Sequence, residues 1–236
     1  ICLAGIGRLF FPNTAETAAL PILGWSIISG VFILFGVLTV ISFTLIFWFL
    51  AGLAIFSLIY SHRKTYVVIT DQFWKCILLV IPVLLLIGAM EASQWDEFSH
   101  WLPAQRFLLD TGLFPSEANP SIGTPMYTAY PFAWPILAML PSFAIGQMLE
   151  MSGAIFNFLM LLTIGMLATK TFIHFSDFKS LNKFSWGLPA FSILFGTALN
   201  PTFVQKIVIT NYADISTACC TAIAVFFGWK ILNFLA

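Results

Sequence analysis

Residues 131–148 read PFAWPILAMLPSFAIGQM. How this stretch is assigned decides the topology of the whole chain. It is apolar enough to be taken for a membrane span. It carries three prolines, Pro131, Pro135 and Pro141, and it falls short of the roughly 20 apolar residues a crossing helix needs. If it crossed, the lysine-bearing segment that follows would be carried to the opposite side of the membrane. Residues 131–147 are therefore expected to form a helix lying in the outer membrane interface.

Six further apolar runs surround it, at 20–40, 42–60, 76–92, 153–172, 184–199 and 215–235. In hydrocarbon the backbone must satisfy its own hydrogen bonds, so these runs read as helices. The first two are almost continuous and require a tight turn near Ile41. Residues 1–7 have the look of the end of another span. Composition agrees with this reading. Apolar residues make up 60% of the 236 positions, phenylalanine alone 26 of them, and charged residues only 8%. A water-soluble domain carries roughly 25% charged residues. The expected fold class is all-α, a polytopic transmembrane helix bundle in one domain over residues 1–236. Its abrupt apolar ends suggest a fragment of a longer chain, and its largest loop, residues 93–152, lies outside the membrane.

The charges sort by side. Arg8, Arg63, Lys64, Lys75, Lys170, Lys179, Lys183 and Lys230 fall at one set of helix ends. Glu91, Asp96, Glu97, Asp110, Glu117, Glu150 and Asp214 fall at the other, with only Arg106 and Lys206 for company. The positive-inside rule puts the first set in the cytoplasm. A formal net charge of zero offers no basic surface for nucleic acid. Cys2, Cys76, Cys219 and Cys220 sit in apolar runs without metal-ligand spacing and read as packed thiols.

Two outer segments carry candidate chemistry. The first is Gln94-Trp95-Asp96-Glu97-Phe98-Ser99-His100-Trp101. On a regular helix Asp96 and His100 share a face, and Trp95 and Trp101 suit an aromatic belt. Alternatively, Asp96 and Glu97 merely cap a helix. The second is Asn211-Tyr212-Ala213-Asp214, at the mouth of the last span. Asp214 is there either as a functional carboxylate or as the helix N-cap. Arg106 and Lys206 suit a phosphate-bearing ligand, or snorkel to headgroups. Tyr130, beside Trp134, can stack on a sugar or anchor the helix.

The ordered set of Asp96-Glu97 after a span, Tyr130-Pro131 followed by Trp134 and Pro135, and Tyr212-Ala213-Asp214 resembles the GT-C superfamily of membrane glycosyltransferases, over roughly residues 76–236. Its members include protein O-mannosyltransferases and aminoarabinose transferases. Two or three spans precede the Asp-Glu pair here, where many members have one, and the family's Pro-Pro is Tyr-Pro-Phe. The resemblance implies an enzyme that moves a sugar from a lipid-phosphate donor, often on a polyprenyl carrier, to an acceptor at the extracytoplasmic face of a bacterial inner membrane. It makes Asp96 the general base, with Glu97 and Asp214 as further catalytic carboxylates. His100, Arg106, Tyr130, Lys206 and Tyr212 become substrate-binding residues, and a divalent cation is an option because only some members use one. Two other classes remain open: a lipid or solute transporter, and a non-catalytic subunit working with other membrane proteins.

Overall fold

The helices form wherever the apolar runs are long and free of breakers, and they stop at recognisable chemistry. The computed structural model describes residues 1–117, 119–120, 131–175, 186–198 and 210–235. Within them lie α1 (Cys2–Phe10), α2 (Leu20–Leu38), α3 (Phe43–Arg63), α4 (Asp71–Gly88), α5 (Leu102–Thr111), α6 (Ala133–Ile145), α7 (Ser152–Phe175), α8 (Gly187–Ala198) and α9 (Asp214–Leu235). The described residues contain no strand. Ser42 caps α3 by accepting from the Thr44 amide, and Thr70 caps α4 by accepting from Phe73. Gly112 and Gly146 end α5 and α6 in the left-handed conformation, at φ 64° and 74°.

Among the described residues, five helices are long and apolar enough to cross a membrane: Thr17–Leu38, Phe43–Arg63, Asp71–Gly88, Ser152–Ile173 and Asp214–Asn233. They carry many large apolar side chains on their outer surfaces, among them Leu38, Leu45, Phe49, Leu85 and Val225, each more than 60% exposed. A surface of that kind is stable only against lipid. The chain is an integral, multi-pass α-helical membrane protein. The expected span 184–199 is described over residues 186–198, twelve of which form α8, packed on α7 and α4. The turn expected near Ile41 is present, with four residues separating α2 from α3.

Small residues set the tightest contact. A Cβ on Gly24 would stand 1.8 Å from the Leu3 carbonyl oxygen, and one on Gly7 would stand 2.3 Å from that of Leu20. Only glycine lets α1 and α2 approach this closely, a common device where helices pack in lipid.

The charge sorting is seen in space. Arg8, with 4% exposure, donates to the carbonyls of Val67, Pro12 and Thr14, tying the α1 end to the α3–α4 connection. Beside it Glu16 is paired with Lys170 at 2.8 Å and with Lys230, which gathers the ends of α7 and α9. Burial pushes the Glu16 carboxyl up, but the two lysines outweigh it and hold it below the usual carboxylate range. At the opposite end Ile87 packs with Met151 and Ala154, so the long loop leaves and re-enters the bundle on one side.

α6 is where the structure departs from expectation. It does not cross: thirteen residues reach only about 20 Å. Nor is it a surface helix. Eight of its thirteen residues are buried. Its first carbonyl, Ala133 O, accepts from the Trp25 indole and the Ser29 hydroxyl, deep on α2. Its far end returns to the acidic side, where the Ser142 hydroxyl accepts from the Leu149 amide. The helix is packed among α2, α3, α5 and α7. The physical reason is its pattern, because a helix apolar on every face is stable inside protein, whereas an interface helix needs a polar face.

Candidate functional site

The site is built around a single carboxylate. Glu97 opens one wide turn, Glu97–Trp101, closed by a hydrogen bond from the Leu102 amide back to the Glu97 carbonyl. Such i→i+5 turns recur at functional sites. Asp96 directly precedes this turn, and His100, within it, engages its neighbour Ser99 through Nδ1.

Glu97 is 1% exposed and accepts four hydrogen bonds. Its Oε2 takes the amides of Ser93 and Gln94, each at 2.9 Å. Its Oε1 takes the Asn211 amide at 2.8 Å and the Asn211 Nδ2 at 2.9 Å. A carboxylate offers about four acceptor positions, and all of them are used. Glu97 thus joins the segment after α4 to the segment before α9 across 114 positions of sequence. Its acceptor positions are thus taken up by the protein itself, in the backbone of two segments and one asparagine side chain.

The receiving loop is fixed from two more sides. Asn157, fully buried on α7, donates to the carbonyls of Thr210 and Tyr212 at 2.9 and 2.8 Å. The Trp134 indole donates to the Asn211 carbonyl at 2.7 Å. Gly153 leaves the room, since a Cβ there would lie 2.5 Å from Asn211 Oδ1. Asn211 Oδ1 and Asn157 Oδ1 are buried and have no hydrogen-bond partner among the described residues.

On this frame sit the other candidates. Asp96 is half-buried, and its carboxylate accepts no hydrogen bond among the described residues. The Tyr212 phenol lies against the Asp96 backbone. Burial pushes its pKa up, as do the charges of Asp96, Glu97 and Asp214, with the Asp96 backbone contact partly opposing them. Tyr212 therefore stays a protonated donor at neutral pH. Asp214 is exposed in the first turn of α9. The helix's first hydrogen bond runs from Thr217 to the Ala213 carbonyl, so the N-cap is Ala213 rather than Asp214. The structure brings Asp96, Glu97, Tyr212 and Asp214 to one end and one neighbourhood.

Arg106 is placed differently. With Asp110 and Glu150 it lines an open cleft of about 630 Å³ at the same end, floored by Phe98, Leu102 and Phe107. That volume falls in the range of small-molecule sites. Asp96 and Asp214 do not line it. Arg106 forms no ion pair among the described residues. Trp95, 81% exposed, suits the aromatic belt, whereas Trp101, 8% exposed, is core and packs with Trp25 and Trp134. Tyr130 and Lys206 lie outside the described residues. No group of three His, Cys, Asp or Glu side chains able to hold a metal ion occurs among the described residues.

The sequence points to no role for Asn157, Gly153 or Glu16, and to Asn211 only as the first residue of the Asn211–Asp214 segment. Asn157 had a usable signal, as a polar amide five residues into an apolar span. Glu16 had one too, as an acid among the basic helix ends. No family model, curated protein or solved structure matches this chain.

Proposed function

We propose that this chain is the membrane part of a GT-C-type glycosyltransferase whose reaction takes place at the acidic end of the bundle. The observation that carries the reading is the contrast between two adjacent carboxylates: Glu97 is saturated and rigid, and Asp96, beside it, has its acceptor positions open next to Tyr212 and Asp214. A carboxylate held in place by its neighbour but not itself engaged is suited to general-base work.

In the proposed reaction Asp96 takes the proton of an acceptor hydroxyl. The hydroxyl oxygen bonds to the sugar's anomeric carbon as the bond from that carbon to the lipid phosphate breaks. The phosphate leaves with the electron pair, and a single displacement inverts the anomeric centre. Arg106, without an ion pair among the described residues and lining the cleft that begins at Phe98, is the cation that would receive that phosphate, while the apolar floor takes the first part of the lipid. Tyr212 donates to the acceptor, and Asp214 orients it. The acidic end faces the periplasm or cell exterior, as the basic opposite end requires under the positive-inside rule.

The test is transfer of labelled hexose or pentose from polyprenyl-phosphate donors by the purified full chain in vesicles. Asp96→Asn is expected to reduce transfer by about 100-fold or more. An Asp96→Asn protein that transfers at the unmodified rate removes the assignment. Labelling of Trp95→Cys by a membrane-impermeant thiol reagent from the cytoplasmic side only would overturn the orientation.

A further inference from the structure

The basic end of the bundle holds a second feature that the proposed reaction does not use. Between α1, α4 and α7 runs an apolar slot of about 190 Å³, walled by Leu3, Pro21, Phe73, Trp74, Leu159 and Thr163. It shares Ala4, Pro21, Ile69 and Phe73 with a narrower continuation that reaches Thr17 and Ala18, directly after Glu16. The slot opens outward, since Trp74 at its lip is 45% exposed.

Above it lies an uneven ion cluster. Glu16 has a side chain only 9% exposed, whereas those of Lys170 and Lys230 are 56% and 41% exposed. One carboxylate shared by two ammonium groups leaves a net positive charge, and the exposed members carry it. Thr163 and Lys170 are seven positions apart on α7, on one face and about 10 Å apart along the axis. Charge and slot are thus stacked along a single helix face.

We infer that this face is a binding site for an anionic phospholipid of the membrane leaflet at the basic end, with its phosphate at Lys170 and Lys230 and an acyl chain in the slot beside Trp74. Charge complementarity selects this occupant. A zwitterionic lipid gains nothing from the surplus charge, and basic pockets between spanning helices are known to hold anionic headgroups. Glu16 orients the two lysines and limits the charge they present. The inference is independent of the proposed glycosyl transfer, which takes place at the other end.

The probe is lipid with brominated acyl chains, which quenches nearby tryptophan. The full chain is placed in phosphatidylcholine vesicles containing a few mole percent of brominated phosphatidylglycerol or brominated phosphatidylcholine. The Trp74 contribution is taken as the difference from Trp74→Phe. Brominated phosphatidylglycerol is expected to quench Trp74 at about fivefold lower mole fraction for each lysine engaged. The double variant Lys170→Gln/Lys230→Gln should bring the two lipids to equal effect, and Thr163→Phe should weaken quenching by both. Glu16→Gln should keep or increase the preference, because it releases both lysines. Equal quenching by the two lipids in the unmodified protein overturns the inference. So does loss of the preference in Glu16→Gln, which would show that the cluster only holds the helix ends together.

Discussion

Each end of the bundle is closed by one buried glutamate, but the two are satisfied differently. Glu97 is held by four N–H groups, three of them backbone amides. Glu16 is held by two lysine ammonium groups. The first arrangement neutralises no charge, so the acidic end keeps its field. The second more than neutralises its carboxylate and presents the surplus outward. Neutral donors make a rigid seat, and mobile ions make an adjustable one. The difference predicts which end resists salt and acid.

The largest expected effect comes from removing the seat. Glu97→Ala leaves buried amides on two segments without acceptors, at about 1–3 kcal/mol for each that cannot rehydrate. A loss of about 3 kcal/mol or more is expected in detergent-based unfolding. Glu97→Gln should cost less but still destabilise, since its NH₂ must face donors. If Glu97→Ala melts with the unmodified protein, the carboxylate is not what joins the two segments.

A smaller effect should come from crowding the same joint. Gly153→Ala places a Cβ 2.5 Å from Asn211 Oδ1, and overpacking of this kind costs about 1–3 kcal/mol. The cost should largely disappear in an Asn211→Ala background, where the clash has no partner. Equal cost in both backgrounds would place the strain elsewhere in α7.

At the basic end the effect should be smaller and dependent on conditions. Lys170 is more than half exposed, so its pair with Glu16 is screened. Glu16→Gln should cost about 1 kcal/mol at low salt and less at high salt. Because the native Glu16 carboxyl lies below its ordinary value of 4.5, its contribution is complete above that pH. It is lost as the pH falls through the lowered native value. Unfolding of the unmodified protein should therefore steepen with acid below about pH 4.5, and Glu16→Gln should remove that part of the slope. An unchanged slope would show that the lysines do not set the Glu16 titration.

Much of this bundle is legible in the sequence because hydropathy sums over some twenty residues and the charge sorting over whole loops. The spans, the short turn after Leu38 and the common end for Asp96 and Asp214 all follow from such sums. In α6, length and prolines argue against crossing and for the interface, but its uniform apolarity is the stronger signal and points inward. The role of Glu97 could not be read at all. It depends on Asn211, 114 positions away, and on the space left by Gly153, and no local pattern encodes a pairing of that range. Trp101 was misplaced for a similar reason, since indoles look alike in sequence whether they meet headgroups or Trp25 and Trp134.

The smallest effect on stability should fall on the residues that matter most to the proposed chemistry. Asp96 makes no side-chain hydrogen bond among the described residues, and Asp214 is exposed. Asp96→Asn should change stability by no more than about 0.5 kcal/mol. Asp214→Asn gives up only a favourable charge at the start of α9, about 0.3–1 kcal/mol. Tyr212→Phe removes a phenol that burial, with three nearby carboxylates, keeps protonated, so the fold should hardly notice it while acceptor binding weakens. The two adjacent acids thus make opposite predictions: Glu97 variants fail by melting, and Asp96 variants fail, if at all, while folded. An Asp96→Asn protein that melts like a Glu97 variant would mean the neighbours share one structural task, and the distinction between seat and reagent would not hold.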